Sequence, residues 1–364
     1  MEQTMFLIIF IFLVAIETAI PFLVKRTVVF GVSIPDRNVR DEKLVFYKKI
    51  YSLLVFVFSV IIIGSYLLWT ANSRLSEERH AIISLVIQFC LIFLSTALYF
   101  YFHAKTLQRK RSQKWGENLK EVKITDLAVR SQDEMLPWYV FLIPMVVTMG
   151  FIGYTFLNYN SMPARIPMHW GPDGKPNSFT EKNPFSVNAL LYILLTIQVM
   201  FLGMNVATKR SGIKLSATRI NASRIRQLSL RKYSSWFLFM ISVLITLLFS
   251  FLQLTTIHAG LMNNVVIWLV PVIFTLIVLI GSIVFAVKVG NAGEKFDLDP
   301  VMGITDTDED QYWMGGMFYF NKNDPSIFVE KRFGIGWTIN FAHPIGLLIL
   351  LVPIVVILLI AFFS

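Results

Sequence analysis

The sequence predicts an all-α integral membrane protein: about eight transmembrane helices, N- and C-termini outside, and a small cytoplasmic appendage containing a β-hairpin before the last helix. Three observations predict it. Of 364 residues, 55% are hydrophobic and 15% charged, too little charge for a soluble chain of this size. Eight apolar runs reach the roughly 20 residues needed to cross a hydrocarbon core as helix. Finally, 28 of the 33 Lys and Arg residues fall on alternate connections, seven in 25–49, eight in 103–137, eight in 208–235 and five in 288–342. An excess of Lys and Arg marks cytoplasmic loops.

The runs lie at about 5–24, 50–69, 82–102, 138–157, 187–207, 236–256, 265–287 and 343–363. They divide the chain into a three-span region with basic loops (1–137), a two-span unit with an external loop at 158–186 (138–207), a basic connector with two spans (208–287), the appendage (288–342) and the last span (343–364). The first run is not expected to be a cleaved signal peptide. Glu2 precedes it, no basic segment leads into it, and Lys25-Arg26 follow it directly, which places the N-terminus outside.

Within the first span, Glu17 is the clear intramembrane carboxyl. An ionisable group at the bilayer centre costs roughly 2.5–3.5 kcal/mol on insertion scales, so such a group is a functional candidate. Glu17 can pair with a neighbouring helix, hold a proton or cation, or face inward and be protonated. Gln88, Gln198, Asn205 and Gln253 in later spans are expected to hydrogen-bond between helices, as polar residues in lipid do. Cys90 is the single cysteine, which excludes an internal disulfide and leaves a small packing residue. Pro21, Pro144, Pro271 and Pro353 fall in or near spans and mark kinks. Paired broken segments in two related halves, the mark of an inverted-repeat carrier, are missing.

Between the fourth and fifth spans the external loop reads Met162-Pro-Ala-Arg-Ile-Pro-Met-His-Trp-Gly-Pro-Asp-Gly-Lys-Pro176. Proline fixes φ and glycine admits positive φ, so this composition predicts an ordered loop presenting His169 and Trp170. Two readings follow: a binding site, with Trp170 as an aromatic anchor, His169 and Asp173 shaping it and Arg165 and Lys175 meeting anionic groups, or a clasp joining two spans.

The connector from Ala217 to Tyr233 carries Ile220, Ile225, Leu228 and Leu230 among four arginines, the pattern of an interfacial helix or of a solvated connector. The appendage begins with acidic clusters at Asp297-Leu-Asp299 and Asp306-Thr-Asp-Glu-Asp310. It continues into β-prone runs at Met317–Phe320 and Ile327–Glu330, separated by Asn321-Lys-Asn-Asp-Pro-Ser326. That turn chemistry predicts a hairpin pairing the two runs. Phe333-Gly-Ile-Gly-Trp-Thr338 is expected along the membrane interface.

The net charge of +10 is accounted for by loops set against anionic lipid, and no nucleic-acid partner is needed. Catalytic motifs of the common kinds are absent: no His-Glu-x-x-His, no Gly-x-Ser-x-Gly, no phosphate loop, no dinucleotide fingerprint. Asp306, Asp308 and Asp310 open like a calcium loop, but Gln311 stands at the glycine position and Met317 at the bidentate carboxylate position, which breaks that motif. His80, His169 and His258 share the outer side without ligand spacing. No metal, no cofactor and no catalytic residue are expected.

The loop from Pro163 to Pro176, with Lys182 downstream, resembles the Pro-x-x-Ile-Pro-x-His-x-x-x-x-Gly-x-Pro signature of SdpI-like bacterial membrane immunity and sensor proteins, over roughly 138–207. His169, Gly174, Pro167 and Lys182 fall in place. The Gly-Ile-Arg-Thr-Pro-Trp-Thr ending of that family is kept only in part, as Gly334-Ile-Gly-Trp-Thr338 without the Arg and Pro. Instead, 310–343 resembles a second uncharacterised bacterial segment of the form Trp-x-x-Gly-x-Phe-Tyr-x-Asn-x-x-Asp-Pro. Trp313, Gly316, Phe318, Tyr319, Asn321, Asp324, Pro325, Lys331, Gly336 and Asn340 fit it.

The resemblance implies a multi-pass protein of the bacterial cytoplasmic membrane, not an enzyme. Its outer loop would meet an envelope-active peptide or envelope component, giving immunity or sensing. A cytoplasmic regulator would be a second partner, docking on Trp313, Tyr319, Asp324 and Lys331, unless that segment is a packed plug under the bundle. Membrane lipids are the remaining partner. Two rivals come from other classes: a secondary transporter or exporter using Glu17 and the polar span residues, and a membrane-embedded metal-dependent hydrolase using the external histidines.

Overall fold

The computed structural model of the chain describes residues 2–72, 77–117, 119–124, 128–170, 176–258, 260, 264–293, 296 and 301–363, with no side chains described for 2–5, 77, 78, 169, 170 and 264. The eight expected spans are eight helices: α1 (Glu2–Leu23), α2 (Glu42–Ala71), α3 (Glu77–Ser112), α4 (Leu142–Leu157), α5 (Ala189–Arg210), α6 (Ile220–Ile257), α7 (Asn264–Gly290) and α8 (Pro344–Phe363). All eight are long and apolar enough to cross a membrane, a 3-10 turn at each of the N-terminal ends of α4 and α5 included. Their outer surfaces carry large exposed apolar side chains such as Leu68, Phe93, Leu157 and Phe362, the side chains that lipid contact requires. The protein is an all-α multi-pass membrane protein.

The helices form two groups. α1, α2 and α3 pack on one another, as do α4, α5 and α6; α7 lies against α6 and α1, and α8 against α5. Three helices far outrun their apolar runs. α2 has 30 residues, α3 has 36 and α6 has 38. At 1.5 Å per residue α6 spans about 57 Å, nearly twice the roughly 30 Å of hydrocarbon. The interfacial helix expected at 217–233 is therefore a correction: from Ile220 it is the first four turns of α6 itself. Its arginines find partners in the chain rather than lying flat on lipid.

Those overhangs support a cap on the basic face, the cytoplasmic side by its excess of Lys and Arg. α1 ends in it and α8 starts from it, so the far ends of both lie on the opposite face. Ten short strands occur among the described residues: β1 (Val28–Val29), β2 (Val32–Ser33), β3 (Lys120–Val122), β4 (Arg165–Trp170), β5 (Pro176–Glu181), β6 (Ile304–Asp306), β7 (Trp313–Met314), β8 (Phe318–Tyr319), β9 (Phe328–Glu330) and β10 (Trp337–Ile339). Only β4 and β5 lie outside the cap.

Four separate connections build the cap, where the sequence had pointed to one appendage. β3 pairs in parallel with β6, joining 113–137 to the last connection. Ile124 bridges to Leu215. Asp36 accepts from Arg219 Nε and Thr218 Oγ1, each at 2.7 Å. Lys110 Nζ reaches Asp308 at 2.6 Å and Asp310 at 2.7 Å, and Arg332 closes on Asp310 from the other side. The acidic run that opens like a calcium loop is thus held by cations and hydroxyls of the protein, Asp306 accepting from Ser216 Oγ at 2.8 Å and Ala217 N at 2.6 Å.

The expected pairing of Met317–Phe320 with Ile327–Glu330 does not form. β8 turns back on β7, with Trp313 opposite Tyr319, and β9 pairs with β10, with Phe328 opposite Ile339. The two glycines Gly315 and Gly316, both at positive φ, make the earlier and tighter turn. The residues 321–326 are then held by side chains: Asn340 Nδ2 donates to the Asn321 and Asp324 carbonyls at 2.8 and 3.1 Å, and Ser326 N donates to Asp324 Oδ1 at 2.9 Å. Phe333 stands between Tyr99 of α3 and Tyr51 of α2, with ring centroids 4.1 and 6.3 Å away.

Candidate functional site

The external segment is a β-hairpin seated on the ends of α4, α5 and α6. β4 and β5 pair antiparallel from Arg165 opposite Glu181 to Trp170 opposite Pro176, with irregular register around His169. Its inward face buries Ile166 and Met162 against Val187 and Ile257, the last residue of α6. Lys182 closes the base: its ammonium donates to the Met162 carbonyl at 3.0 Å, sits 4.7 Å from the Tyr159 ring centroid, and its backbone N donates to Ala164 O at 3.0 Å. Asn183 Oδ1 accepts from the backbone N of Phe185 and Ser186, turning the chain into α5.

Of the residues expected here, Arg165 is exposed on β4, and His169 and Trp170 are backbone members of the same strand. The side chains of His169 and Trp170, and all of Asp173 and Lys175, lie outside the described residues. The other outer histidines stand apart from each other. His258 Nε2 lies 2.8 Å from Tyr154 Oη, and His80 Nδ1 lies 3.5 Å from Tyr66 Oη. Among the described residues no group of three His, Cys, Asp or Glu is placed to hold a metal ion.

Below the hairpin, polar side chains line the α4–α5–α6 interface. Gln253 Nε2 donates to Val187 O at 2.9 Å and Thr155 Oγ1 at 3.1 Å. Gln198 Nε2 reaches Thr148 Oγ1 and Thr246 Oγ1, both at 2.8 Å. Asn205 donates to Leu136 O at 3.0 Å and accepts from Ser235 Oγ at 2.7 Å. On α6 these positions, with Ser242 and Ser250, recur at helical spacing and are all buried. Gln198, Asn205 and Gln253 are interhelical partners, as their type in lipid predicts. Gln88 is half-buried on α3, away from this seam.

At the other end of α6 the seam runs into the cap. Arg231, fully buried, donates to Asp133 at 3.2 Å and to Ser211 O at 2.6 Å. Arg226 and Gln227 hold the Glu330 carboxylate at 2.8 and 2.6 Å, and Trp337 Nε1 donates to Ser234 Oγ at 3.0 Å. One unbroken helix therefore touches the outer hairpin at one end and β9 and β10 at the other.

The cap residues proposed for docking are placed inward. Trp313 is nearly buried and Tyr319 fully so. Tyr319 Oη accepts from Lys214 Nζ at 3.0 Å and donates to Asp324 Oδ2 at 2.8 Å, while Lys214 also pairs with Glu309 at 2.9 Å. Burial on its own would raise the Asp324 carboxyl, but the Lys214 ammonium 2.8 Å away holds it down at about 2. Burial pushes the Tyr319 hydroxyl up to about 12 against the pull of Lys214. Trp313, Tyr319 and Asp324 thus pack within the cap, and of the four residues Lys331 is the exposed one.

Glu17 is half-buried in the other helix group, facing Tyr51 of α2 and Ser95 of α3. The neighbouring Ser52 Oγ donates to Thr18 O at 2.7 Å. The residues that sequence reasoning missed are Arg231 and Asp133. Nothing in their local pattern separates a buried arginine from the topology-setting ones around it.

Two families match parts of the chain. Residues 145–195, which comprise most of α4, the hairpin and the start of α5, match a domain of unknown function (DUF1648). Residues 322–347, from the 321–326 turn through β10 to the start of α8, match a family of unknown function (DUF5808). No curated protein and no solved structure matches.

Proposed function

We propose that this chain is a non-enzymatic protein of the bacterial cytoplasmic membrane that gives immunity to, or senses, an envelope-active peptide or envelope component through the β4–β5 hairpin. The observation that carries the proposal is the seat of that hairpin. Ile166 packs on Ile257 at the outer end of α6, and the inner end of the same helix grips Glu330 through Arg226 and Gln227. A ligand that moves the hairpin acts on a rigid element shared with the cap, which is the physical requirement for coupling two distant sites. The cap then presents the change to a cytoplasmic regulator. The match at 145–195 falls on the same segment that resembles the SdpI-like immunity and sensor proteins.

The test is survival of a sensitive bacterium expressing the chain, challenged with a panel of envelope-active peptides. Wild type should protect against one of them, and Arg165→Ala, His169→Ala or Trp170→Ala at equal protein levels should reduce that protection at least tenfold. Equal tolerance with and without the chain across the panel would remove the proposal.

Glu17 favours one rival. A carboxyl between Tyr51 and Ser95 inside the α1–α3 group is a candidate proton ligand of a secondary carrier. Such a carrier loses protection in Glu17→Gln, whereas a protein that binds its ligand at the hairpin keeps it.

A further inference from the structure

The cap holds a cavity of about 350 Å³ between β1–β2, β3 and the residues that follow it, the 212–215 segment and β9, with Trp313 and Trp337 in its wall. Six cations and four carboxylates border it. Each carboxylate is already engaged. Asp306 is held by Ser216 and Ala217, Glu309 and Asp324 by Lys214, and Glu330 by Arg226 and Gln227. Of the cations, Lys214 and Arg332 take up carboxylates.

The other four are Lys25, Lys123, Arg130 and Lys331. They come from three different connections, and among the described residues none has a carboxylate within 4.0 Å. Among the described residues Arg130 reaches the Arg210 and Ser211 carbonyls, at 3.2 and 3.4 Å. Six cations against four carboxylates leave the lining with an excess of two positive charges, which raises the potential of the recess; an anion that enters lowers it, the more so where water is partly excluded. Arg and Lys forks and ammoniums favour phosphate oxygens in particular. Thr27, Ser33 and Ser326 on the same wall bring neutral hydroxyls, which complete a phosphate shell. A volume of this size matches a small-molecule site rather than a single ion.

We propose that this cavity is a phosphate-binding site, with Lys25, Lys123, Arg130 and Lys331 meeting the anionic oxygens of a phosphorylated small molecule or of a phospholipid headgroup. The two sources share one chemistry, and the position of the cavity serves both. Lys25 stands two residues past the end of α1, at the membrane boundary, while Lys123 and Lys331 are exposed on the cap. The site is independent of the outer hairpin.

The experiment uses the full chain in a neutral detergent and reads its melting temperature. One arm adds inorganic phosphate and a sugar phosphate, with sodium chloride at matched ionic strength as the blank. The other adds phosphatidylglycerol, with phosphatidylcholine as the blank. A shift above its blank is expected in at least one arm, and the responding arm names the source. In the double variant Lys123→Gln/Lys331→Gln, whose side chains are exposed, the midpoint concentration should rise at least about tenfold, the factor of one charge-assisted hydrogen bond. Lys322→Gln, an exposed cap lysine outside the cavity, should leave it unchanged. No shift in either arm, or a shift that survives the double variant, overturns the proposal.

Discussion

Gly31 and Gly316, 285 positions apart in the chain, meet back to back: a methyl group on Gly31 would lie 2.6 Å from the Gly316 Cα, and one on Gly316 would lie 2.8 Å from the Gly31 Cα. Both turns run at positive φ, +77° and +73°, and Tyr99 Oη, donating to Gly315 O at 3.0 Å, closes the third side. The first connection and the last thus touch through bare backbone, and α3 locks them there. Beside this contact Phe30 also holds a positive φ of 44°, its buried ring 5.3 Å from Phe102 and 5.4 Å from Tyr51. Aromatic packing offsets the turn's strain.

Either Gly31→Ala or Gly316→Ala is therefore expected to disrupt the cap, because the neighbour that must give way is backbone and the conformation itself disfavours a side chain. The folded fraction recovered in mild detergent should fall several-fold. Gly64→Ala, mid-helix in α2 with nothing within 4 Å of an added methyl, should be neutral or gain about 1 kcal/mol. Equal melting temperatures for all three variants would mean the close approach carries no weight.

Arg231 and Asp133 make a second test. With both side chains essentially out of solvent, removing one partner leaves a buried charge alone, at a cost of about 3–5 kcal/mol. Arg231→Met should therefore lower the melting temperature sharply. Arg231→Met/Asp133→Asn should recover part of the loss, since no unpaired charge remains. A double variant no more stable than the single would show that the arginine acts through its bond to Ser211 O and its place over Trp337, not through the ion pair.

Acid should loosen the cap before the helices. Asp324 is held at about 2 in the folded chain, below its ordinary value of about 3.9. Its contribution is present above about pH 4 and is lost as pH falls toward 2, a term of roughly 2 kcal/mol. Asp310 shifts the same way: burial opposes its ionisation, but Arg332 and Lys110 more than compensate. Melting curves between pH 5 and pH 3 should decline in wild type and be flatter in Asp324→Asn. Parallel curves would remove Lys214–Asp324 from the acid response.

How much of this was legible in the sequence depends on range. The spans were legible because hydropathy is a local sum, and the sidedness of the loops because Lys and Arg count independently of structure. Gln198, Asn205 and Gln253 were recognisable as helix-joining residues since a polar group in lipid has few alternatives. The cap was not legible as one body: its bonds join residues such as Asp36 and Arg219, or Ser33 and Asp310, whose separation leaves no periodic trace. The appendage strands are legible but their pairing is not: the turn chemistry of Asn321–Ser326 points to one hairpin, whereas the two glycines before Met317 make the tighter turn. Asn321 and Asp324 instead serve the buried frame around Asn340.

Gln198 tests whether the α4–α5–α6 seam holds the bundle together. Gln198→Leu removes two 2.8 Å bonds to threonines on the two flanking helices. Interhelical hydrogen bonds in membranes contribute about 0.6 kcal/mol on average and up to about 1.7. A modest fall in melting temperature is expected, with the leucine filling much of the space. Gln88→Leu on α3 should show none. A rise in stability for Gln198→Leu would mean that the seam is retained for something other than strength.

Lys182 separates an ordered hairpin from a binding one. Its ammonium ties the end of β5 to Met162 before β4 and sits over the Tyr159 ring, a charge-assisted bond of about 1.5–3 kcal/mol with about 0.5–1 kcal/mol more from the ring. Lys182→Met should free the hairpin base and raise its cleavage by an external protease, while the melting temperature set by the helices changes little. Trp170→Ala should leave cleavage unchanged if that side chain meets a ligand rather than the scaffold. If both variants lose protection but only Lys182→Met is cut faster, the hairpin needs its clasp to present a contact made by Trp170. If both are cut alike, the loop is a structural clasp and the binding reading fails.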